Sequence, residues 1–243
     1  MNKELLLALL VGSASSFLLA GVSAIAGFGG GVLLLPVFTA LFGLQVAVPV
    51  LTLTQLVSNS SRVWLNRTEL EAGIIRRFAG GAIPFAVAGG LLLASAPLSP
   101  LKRLLGVLLL VVVAWRRINP RPRRPAASTF VTVGALSGFG SALLGSVGPL
   151  TAPFFLSFGL VRGAYIGTEA ACALTMHLTK TATYGAGDLL SGRVLLLGLL
   201  LTPPTLAGAW VGKRLTDRLS EQLFVRLVEA GLVVAAVLFL IGF

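Results

Sequence analysis

Long apolar runs dominate the chain, and polar residues interrupt them only at short loops. From residue 5 to residue 61, 57 consecutive positions contain no Asp, Glu, Lys or Arg. A membrane-spanning helix needs about 20 apolar residues, so this run alone is long enough for more than two crossings. The pattern predicts an all-α, polytopic integral membrane protein.

Ten apolar segments follow from this pattern, five in each half of the chain. Those of the first half are 5–26, 31–43, 44–66, 78–96 and 98–115, and those of the second half are 129–144, 149–160, 163–186, 194–212 and 223–243. The second segment of each half is too short to cross a bilayer as a straight helix, because a helix rises only about 1.5 Å per residue. We therefore expect a short broken or re-entrant helix at each of these two places.

A glycine- and proline-containing element occurs in both halves. Residues 27–36 read GFGGGVLLLP, and about 117 residues further on the stretch 145–153 reads GSVGPLTAP. Later in the halves, Pro84 is matched by Pro203 at an offset of 119. These matches predict two transmembrane repeats, 1–124 with a basic linker and 125–243.

The distribution of positive charge favours inverted repeats. Apart from Arg62 and Lys180, which lie inside predicted helices, 17 Lys and Arg residues remain to be assigned to a side. If the short segments cross the membrane and the N-terminus is external, 13 are cytoplasmic and 4 external; if they do not cross and the N-terminus is cytoplasmic, the split is 10 to 7. The positive-inside rule favours the first topology, and an odd number of crossings per repeat inverts the second repeat relative to the first.

Composition excludes several classes of function. Only 11% of the residues are charged, against about 25% in a soluble domain, and the net charge of +11 does not indicate nucleic-acid binding because the basic residues sit at the ends of apolar runs. One His, one Cys and two Met argue against a metal. No H-E-x-x-H, G-x-S-x-G or P-loop motif is present. We expect no enzyme activity, no cofactor and no metal.

Polar residues inside the third segment of the first half are candidate binding residues. Gln55, Asn59 and Arg62 are spaced by four and three residues, and Asn66 extends the same helix face. A charged side chain at the centre of a bilayer costs about 2.5–3.5 kcal/mol or more, so this face should turn toward protein or a water-filled cavity. Alternatively, Arg62 extends toward the cytoplasmic interface.

The third segment of the second half carries a second polar set, Glu169, Thr175, His177, Thr179 and Lys180. Lys180 lies at nearly the position of Arg62 in the repeat, so two cations can face one central cavity and attract a small anion, with amide and hydroxyl donors around it. A purely structural role for Glu169 and Lys180 in internal salt bridges stays open. His177 is either a proton relay or a structural histidine.

The glycine-rich breaks have two interpretations. Glycines let membrane helices approach closely, whereas a helix break at such a site presents free backbone N–H groups to an anion. Four glycines within residues 27–31 exceed what packing alone needs, and the element occurs twice. We therefore favour the binding interpretation.

Two apolar halves, each with a glycine cluster ending in proline and followed by a polar-dotted helix, resemble the TauE/SafE sulfite exporter family, also called the toluene sulfonate uptake permease family. The resemblance covers about residues 5–243. It implies a multi-pass carrier of the bacterial inner membrane for sulfite, sulfonates or related sulfur-containing anions, with transport coupled to an ion gradient. The matching positions imply binding residues at Gly27, Gly29, Gly30, Gly31, Pro36, Gln55, Asn59, Arg62, Gly145, Gly148 and Pro153, although Ser146 and Val147 replace part of the second glycine run.

The sequence therefore predicts a secondary transporter, most simply an exporter, that works by alternating access. Lys180 adds charge to the predicted site, Thr175 and Thr179 add hydrogen bonds, and Glu169 or His177 carries a coupling proton. An anion channel and a non-transporting membrane scaffold protein are the alternative functions. The predicted partners are the small anion and the lipid bilayer, and the sequence does not specify an oligomeric state.

Overall fold

The computed structural model describes residues 3–26, 31–92, 124–145, 147–216 and 218–241, together with the helical positions Val107, Leu110 and Ala114. All regular structure in these residues is helical, as predicted. The α-helices of the described residues are α1 Lys3–Ala26, α2 Gly31–Phe42, α3 Leu44–Leu65, α4 Ala72–Leu92, α5 Thr129–Leu144, α6 Gly148–Phe158, α7 Arg162–Ala186, α8 Gly192–Thr216 and α9 Glu221–Leu240. A 3₁₀ turn, Arg67–Glu69, lies between α3 and α4. Most of the predicted fifth segment, 98–115, and of the linker lies outside the described residues.

Helix bounds differ from the apolar bounds mainly where basic residues flank an apolar run. Helix α4 begins at Ala72 rather than at 78, and α8 continues to Thr216 rather than ending at 212. The extensions contain Arg76, Arg77, Lys213 and Arg214, which are good helix formers. The helices therefore continue beyond their apolar parts. By length and composition alone, two described helical stretches are able to cross a membrane, Ala72–Leu92 and Gly192–Leu215.

The two short predicted segments are short helices, α2 and α6, and both end in the same way. Each ends with a phenylalanine, Phe42 or Phe158, followed by a glycine with positive φ: 78° at Gly43 and 100° at Gly159. A positive φ is cheap only for glycine, so the Phe–Gly pair stops each helix and turns the chain into the next one. This matched ending was visible in the sequence but was not part of the prediction.

The helices form two bundles, each with its own apolar core. The first bundle contains α1, α2, α3 and α8, and its core includes Phe38, Val48 and Leu201. The second bundle contains α4, α5, α6 and α7, and its core includes Phe78 and Phe155. Each bundle therefore combines three helices from one half of the chain with the fourth helix of the other half.

The exchanged helices are fixed by backbone-to-backbone contacts through glycine. In the second bundle, a methyl group on Gly134 would overlap the carbonyl oxygen of Phe78, and one on Gly138 would overlap that of Ala82. In the first bundle, Gly208 lies against the carbonyl oxygen of Phe17 in the same way. Close approach of this kind replaces side-chain interdigitation where helices pack in membranes. In both pairs, α4 with α5 and α1 with α8, the residue numbers in contact rise together, so the paired helices are parallel.

Helices α3 and α7 form the main contact between the two bundles and run antiparallel. Near the end of α3, Asn66 lies beside Gly167, and Arg62 lies beside Glu169. Toward the other end, Leu51 of α3 approaches Gly145, which lies beside Lys180 of α7. Residue numbers along α3 therefore rise as those along α7 fall.

Substituting adjacent glycines of α4 tests the close packing of α4 on α5. A β-carbon at Gly81 would meet the backbone of Val131 and Ala135, whereas nothing lies within 4 Å of the same position at Gly80. We expect Gly81→Ala to lower the free energy of unfolding in detergent by about 1–3 kcal/mol, because the helices must separate. Gly80→Ala is the matched control and should be neutral or stabilising by up to about 1 kcal/mol. Equal effects of the two substitutions would contradict this packing.

Candidate functional site

The predicted polar face of α3 lies inside the protein. Gln55, Asn59, Arg62 and Asn66 are buried, together with Thr52, Thr54 and Ser58. Their face is the one that meets α7, because Arg62 and Asn66 both lie against that helix. The structure thus places the predicted polar face at the interface between the two bundles.

Arg62 forms an ion pair with Glu169 across that interface. The distance from Arg62 Nη2 to Glu169 Oε2 is 3.1 Å, and Arg62 Nη1 donates a hydrogen bond of 2.9 Å to Asn59 Oδ1. Both charged side chains are buried. The guanidinium is therefore engaged inside the protein, and the internal partner of Glu169 is Arg62.

Local contacts and close packing surround the ion pair at this end of α3. Asn66 Nδ2 donates to the carbonyl oxygen of Arg62 at 2.7 Å, which caps the end of α3, and the backbone N–H of Glu71 donates to Thr168 Oγ1 of α7 at 3.0 Å. The N-terminal part of α7 has little room for side chains, since a methyl group on Gly167 would crowd Asn66. This close approach and the ion pair hold the two bundles together at this level.

Lys180 is fully buried and binds only uncharged groups among the described residues. Its Nζ donates to Gly145 O at 2.8 Å, to Ser141 Oγ at 3.0 Å and to Ser141 O at 3.3 Å. Three acceptors match the three N–H bonds of an ammonium group. Gly145 ends α5 with a φ of 79°, so Lys180 binds carbonyl groups that the helix break leaves unpaired.

The structure does not bring Arg62 and Lys180 together. Arg62 lies at the level of Glu169, which is 11 residues before Lys180 on the same helix, a rise of about 16 Å. The predicted pair of cations facing one cavity is therefore replaced by two cations at different levels of the α3–α7 interface. One is paired with a carboxylate, and the other is held by a helix break.

Between these two levels lie Gln55 and His177. The pairing of Arg62 with Glu169, and of Asn66 with Gly167, sets an antiparallel register in which position 55 is level with positions 176–178. Both side chains are buried, and among the described residues neither Gln55 Nε2 nor His177 Nδ1 has a hydrogen-bond partner. Buried polar atoms without partners are costly, so these nitrogens are candidates for a bound ligand.

The two predicted threonines are bonded within their own helix. Thr175 Oγ1 donates to the carbonyl oxygen of Cys172 at 2.7 Å, and Thr179 Oγ1 donates to that of Thr175 at 2.8 Å. A hydroxyl group has one proton, so in this geometry neither threonine offers a donor to an anion. Each hydroxyl must rotate before it can bind one.

The glycine breaks are only partly within the described residues. Gly27, Gly29 and Gly30 lie outside them, Gly31 is the first residue of α2, and Pro36 is inside that helix. In the second half, Gly148 is the first residue of α6 and Pro153 lies within it; both are buried. The first backbone N–H groups of a helix lack intrahelical partners and carry partial positive charge, so α6, three residues after Gly145, begins with such groups, apart from Pro149, which has no N–H.

No group of three His, Cys, Asp or Glu side chains among the described residues is arranged to hold a metal ion. Cys172 is a buried free thiol in α7. The chemistry of this region is therefore that of hydrogen bonds and buried charge.

Comparison with known proteins identifies the family of this chain. The model of the family described as sulfite exporter TauE/SafE matches residues 12–239, nearly the whole chain. The chain belongs to this family. It is therefore a membrane protein of a transporter family for sulfite and related sulfur-containing anions, as the sequence predicted, rather than of an enzyme family. No curated protein and no solved structure matches the chain.

Sequence reasoning identified the charged residues but missed their partners. It did not pair Arg62 with Glu169, although these are oppositely charged residues inside two predicted helices. It also missed Ser141 and the carbonyl of Gly145 as the acceptors of Lys180. No motif indicates either contact, because both depend on how distant helices pack.

A double-mutant cycle tests the ion pair between α3 and α7. Arg62→Gln or Glu169→Gln alone leaves one buried charge without its counter-charge, so we expect each to lower the free energy of unfolding by about 3–5 kcal/mol. Arg62→Gln/Glu169→Gln should cost less than the sum of the two by about 1–3 kcal/mol. Denaturant titration in detergent micelles measures these differences.

The control for this cycle is Arg67→Gln. Arg67 is exposed and lies over the ring of Trp64, with 4.6 Å from Cζ to the ring centroid, so its loss should cost no more than about 1 kcal/mol. Strict additivity of Arg62→Gln and Glu169→Gln would mean that the two side chains do not interact.

Proposed function

We propose that this protein is a secondary transporter of the bacterial inner membrane that exports sulfite, sulfonates or related small sulfur-containing anions by alternating access. The observation that carries the proposal is Lys180, a fully buried cation with no carboxylate partner among the described residues. A charge inside an apolar protein is retained at considerable cost. A small anion that binds nearby offsets this cost.

The proposed binding region extends from Lys180 to the level of Gln55. Lys180 contributes charge through space, since its three protons are bonded to α5. The amide of Gln55, the amide of Asn59 and the N-terminus of α6 at Gly148 contribute hydrogen-bond donors. Arg62 shapes the region by orienting Asn59, and its own charge is offset by Glu169. Thr175, Thr179, Pro153 and the first glycine break remain predicted parts of this region.

Of the two candidates for a coupling proton, the geometry favours His177. Its Nδ1 has no partner among the described residues, whereas the carboxylate of Glu169 is engaged by Arg62. An imidazole at the level of Gln55 is placed to exchange a proton when the region opens to water.

We also propose that the repeats 1–124 and 125–243 are inverted. In the proposed repeats, α1 corresponds to α5, α3 to α7 and α4 to α8. If each helix is replaced by its counterpart, the contact of α1 with α8 becomes the contact of α5 with α4, and the contact of α3 with α7 maps onto itself. The antiparallel direction of α3 and α7 supports an odd number of crossings in each half, because an even number would make these two helices parallel. Broken helices in inverted repeats are a common transporter architecture.

Two further functions are compatible with a membrane protein that carries a buried cation. An anion channel would use the same residues without alternating access, and a scaffold protein would transport nothing. Counterflow separates the three. In this assay, vesicles loaded with unlabelled anion take up labelled anion from outside. Only a carrier exchanges the two so that label accumulates inside and the uptake rate saturates with the external anion concentration.

Lys180→Met tests the proposed site. We expect counterflow of labelled sulfite or sulfonate in proteoliposomes to fall at least about tenfold, because the methionine keeps the length of the side chain and removes its charge. Arg193→Gln is the control: it removes an exposed charge at the start of α8 and should leave the flux unchanged. Wild-type flux from a correctly folded Lys180→Met protein would contradict the site, and absence of flux from the wild type with every sulfur anion would contradict the function.

The inverted topology is tested by labelling single cysteines with a membrane-impermeant maleimide. Ser191 and Thr68 are both exposed, and in the proposed topology they lie on opposite sides of the membrane. In a Cys172→Ala background, Ser191→Cys should react in intact cells, whereas Thr68→Cys should react only after permeabilisation. If Ser191→Cys also needed permeabilisation, each half would contain an even number of crossings.

A further inference from the structure

Three charged side chains are buried among the described residues: Arg62, Glu169 and Lys180. The Arg62–Glu169 pair, at 3.1 Å, is neutral as a unit. The ammonium of Lys180 contacts a hydroxyl and two carbonyl groups, which carry no formal charge. With Lys180 protonated and His177 neutral, the interior at the α3–α7 interface therefore has a net charge of +1.

Other acidic residues do not change this balance. The sequence contains eight Asp and Glu residues. Of those whose burial the structure describes, Glu69, Glu71 and Asp188 are exposed, and Glu229 is half-buried on α9. Within this described part of the chain, Glu169 is the only buried carboxylate. Glu169 therefore determines the buried net charge, because its carboxylate offsets one of the two positive charges of Arg62 and Lys180.

Uncharged donors lie between the ion pair and Lys180. Gln55 and His177 are 2% and 3% exposed, and among the described residues Gln55 Nε2 and His177 Nδ1 have no hydrogen-bond partner. These atoms lie less than one turn of helix from the level of Lys180, since His177 precedes it by three residues. They can bind oxygen atoms of an anion without adding charge.

We infer that the site selects monoanions, such as sulfonates and hydrogen sulfite, over dianions such as sulfate, and that Glu169 determines this selectivity by offsetting Arg62. This inference rests on the proposed transport of sulfur-containing anions. A monoanion brings the buried charge to zero. A dianion leaves an uncompensated negative charge in a region of low dielectric constant, which is unfavourable.

The test compares two tetrahedral anions of similar size, methanesulfonate with one negative charge and sulfate with two. Wild-type protein is reconstituted in proteoliposomes at pH 6.5, where sulfate and methanesulfonate keep charges of −2 and −1 and Lys180 is protonated more fully than at alkaline pH. Equal potassium on both sides and valinomycin hold the voltage at zero. Unlabelled methanesulfonate and sulfate then compete with the counterflow of labelled methanesulfonate. We expect sulfate to compete at least about tenfold more weakly.

The outcomes separate this inference from the proposed function. If labelled methanesulfonate, sulfite and sulfate all show no counterflow, the proposed function fails. If counterflow occurs but sulfate competes as well as methanesulfonate, or if only sulfate is transported, the function stands and the selectivity inference is overturned.

Two variants test the role of Glu169. Glu169→Gln raises the buried charge to +2. Sulfate should then gain about five- to tenfold relative to methanesulfonate, as expected for one added charge about 12–16 Å away, the rise along α7 from Glu169 to His177 and Lys180, at an effective dielectric constant of about 20. Arg62→Gln/Glu169→Gln lacks the same ion pair but keeps the charge at +1, so it should retain the wild-type ratio.

The measured quantity is the ratio of the sulfate and methanesulfonate concentrations that inhibit counterflow equally. This ratio does not depend on how much of the protein is active. An unchanged ratio in Glu169→Gln, or equal changes in the single and double variants, would show that the ion pair has only a structural role and would overturn the assignment of selectivity to Glu169. If Glu169→Gln does not fold, the wild type and the double variant decide: a double variant that loses the preference for methanesulfonate contradicts the charge argument.

Discussion

Compensation of buried charge is the constraint on which the rest of this structure depends. A guanidinium inside an apolar protein must have a partner, and Arg62 has Glu169 on the opposing helix. Because this contact crosses between the two bundles, it also fixes the register of α3 on α7. That register places Gln55 level with His177 and leaves Lys180 as the cation without a carboxylate among the described residues. The location of the candidate site therefore follows from a single ion pair.

The two ends of the α3–α7 interface differ by one acidic residue. At an offset of 118 residues, Lys180 corresponds to Arg62, and Glu169 corresponds to Leu51. Leu51 approaches Gly145, to which Lys180 is bonded, so a leucine occupies the place where a matching carboxylate would have paired with Lys180. One end of the interface is therefore neutral and the other positive. Within the proposed repeats, this difference separates the cation that is paired inside the protein from the cation assigned to the proposed anion site.

The sequence predicted features that depend on local pattern. The charge-free run indicated membrane helices, the glycine- and proline-containing elements indicated short helices at α2 and α6, and the spacing of Gln55, Asn59 and Arg62 indicated one buried face. Contacts between distant helices were not predictable, because they depend on complementary shape. The exchange of α4 and α8 between the bundles rests on glycines such as Gly134 and Gly208, whose partners are backbone carbonyl groups with no signature in the sequence. That Thr175 and Thr179 bind a ligand stays a prediction; in the structure their hydroxyls donate to carbonyl groups of their own helix.

The packing also indicates which parts are able to move. If one sequence half rocked against the other, the backbone contacts of α4 on α5 and of α1 on α8 would have to separate, and close-packed interfaces of this kind do not deform gradually. The two bundles are more suitable as rigid moving units than the two sequence halves are. Each bundle has its own core, and the bundles meet mainly along α3 and α7. Lys180, Ser141 and Gly145 all belong to the second bundle, so the cation and the helix break would move together. Arg62 and Glu169 belong to different bundles. Any separation of the bundles at that end must therefore break their ion pair, and in the proposed transport cycle this would link access to the balance of buried charge.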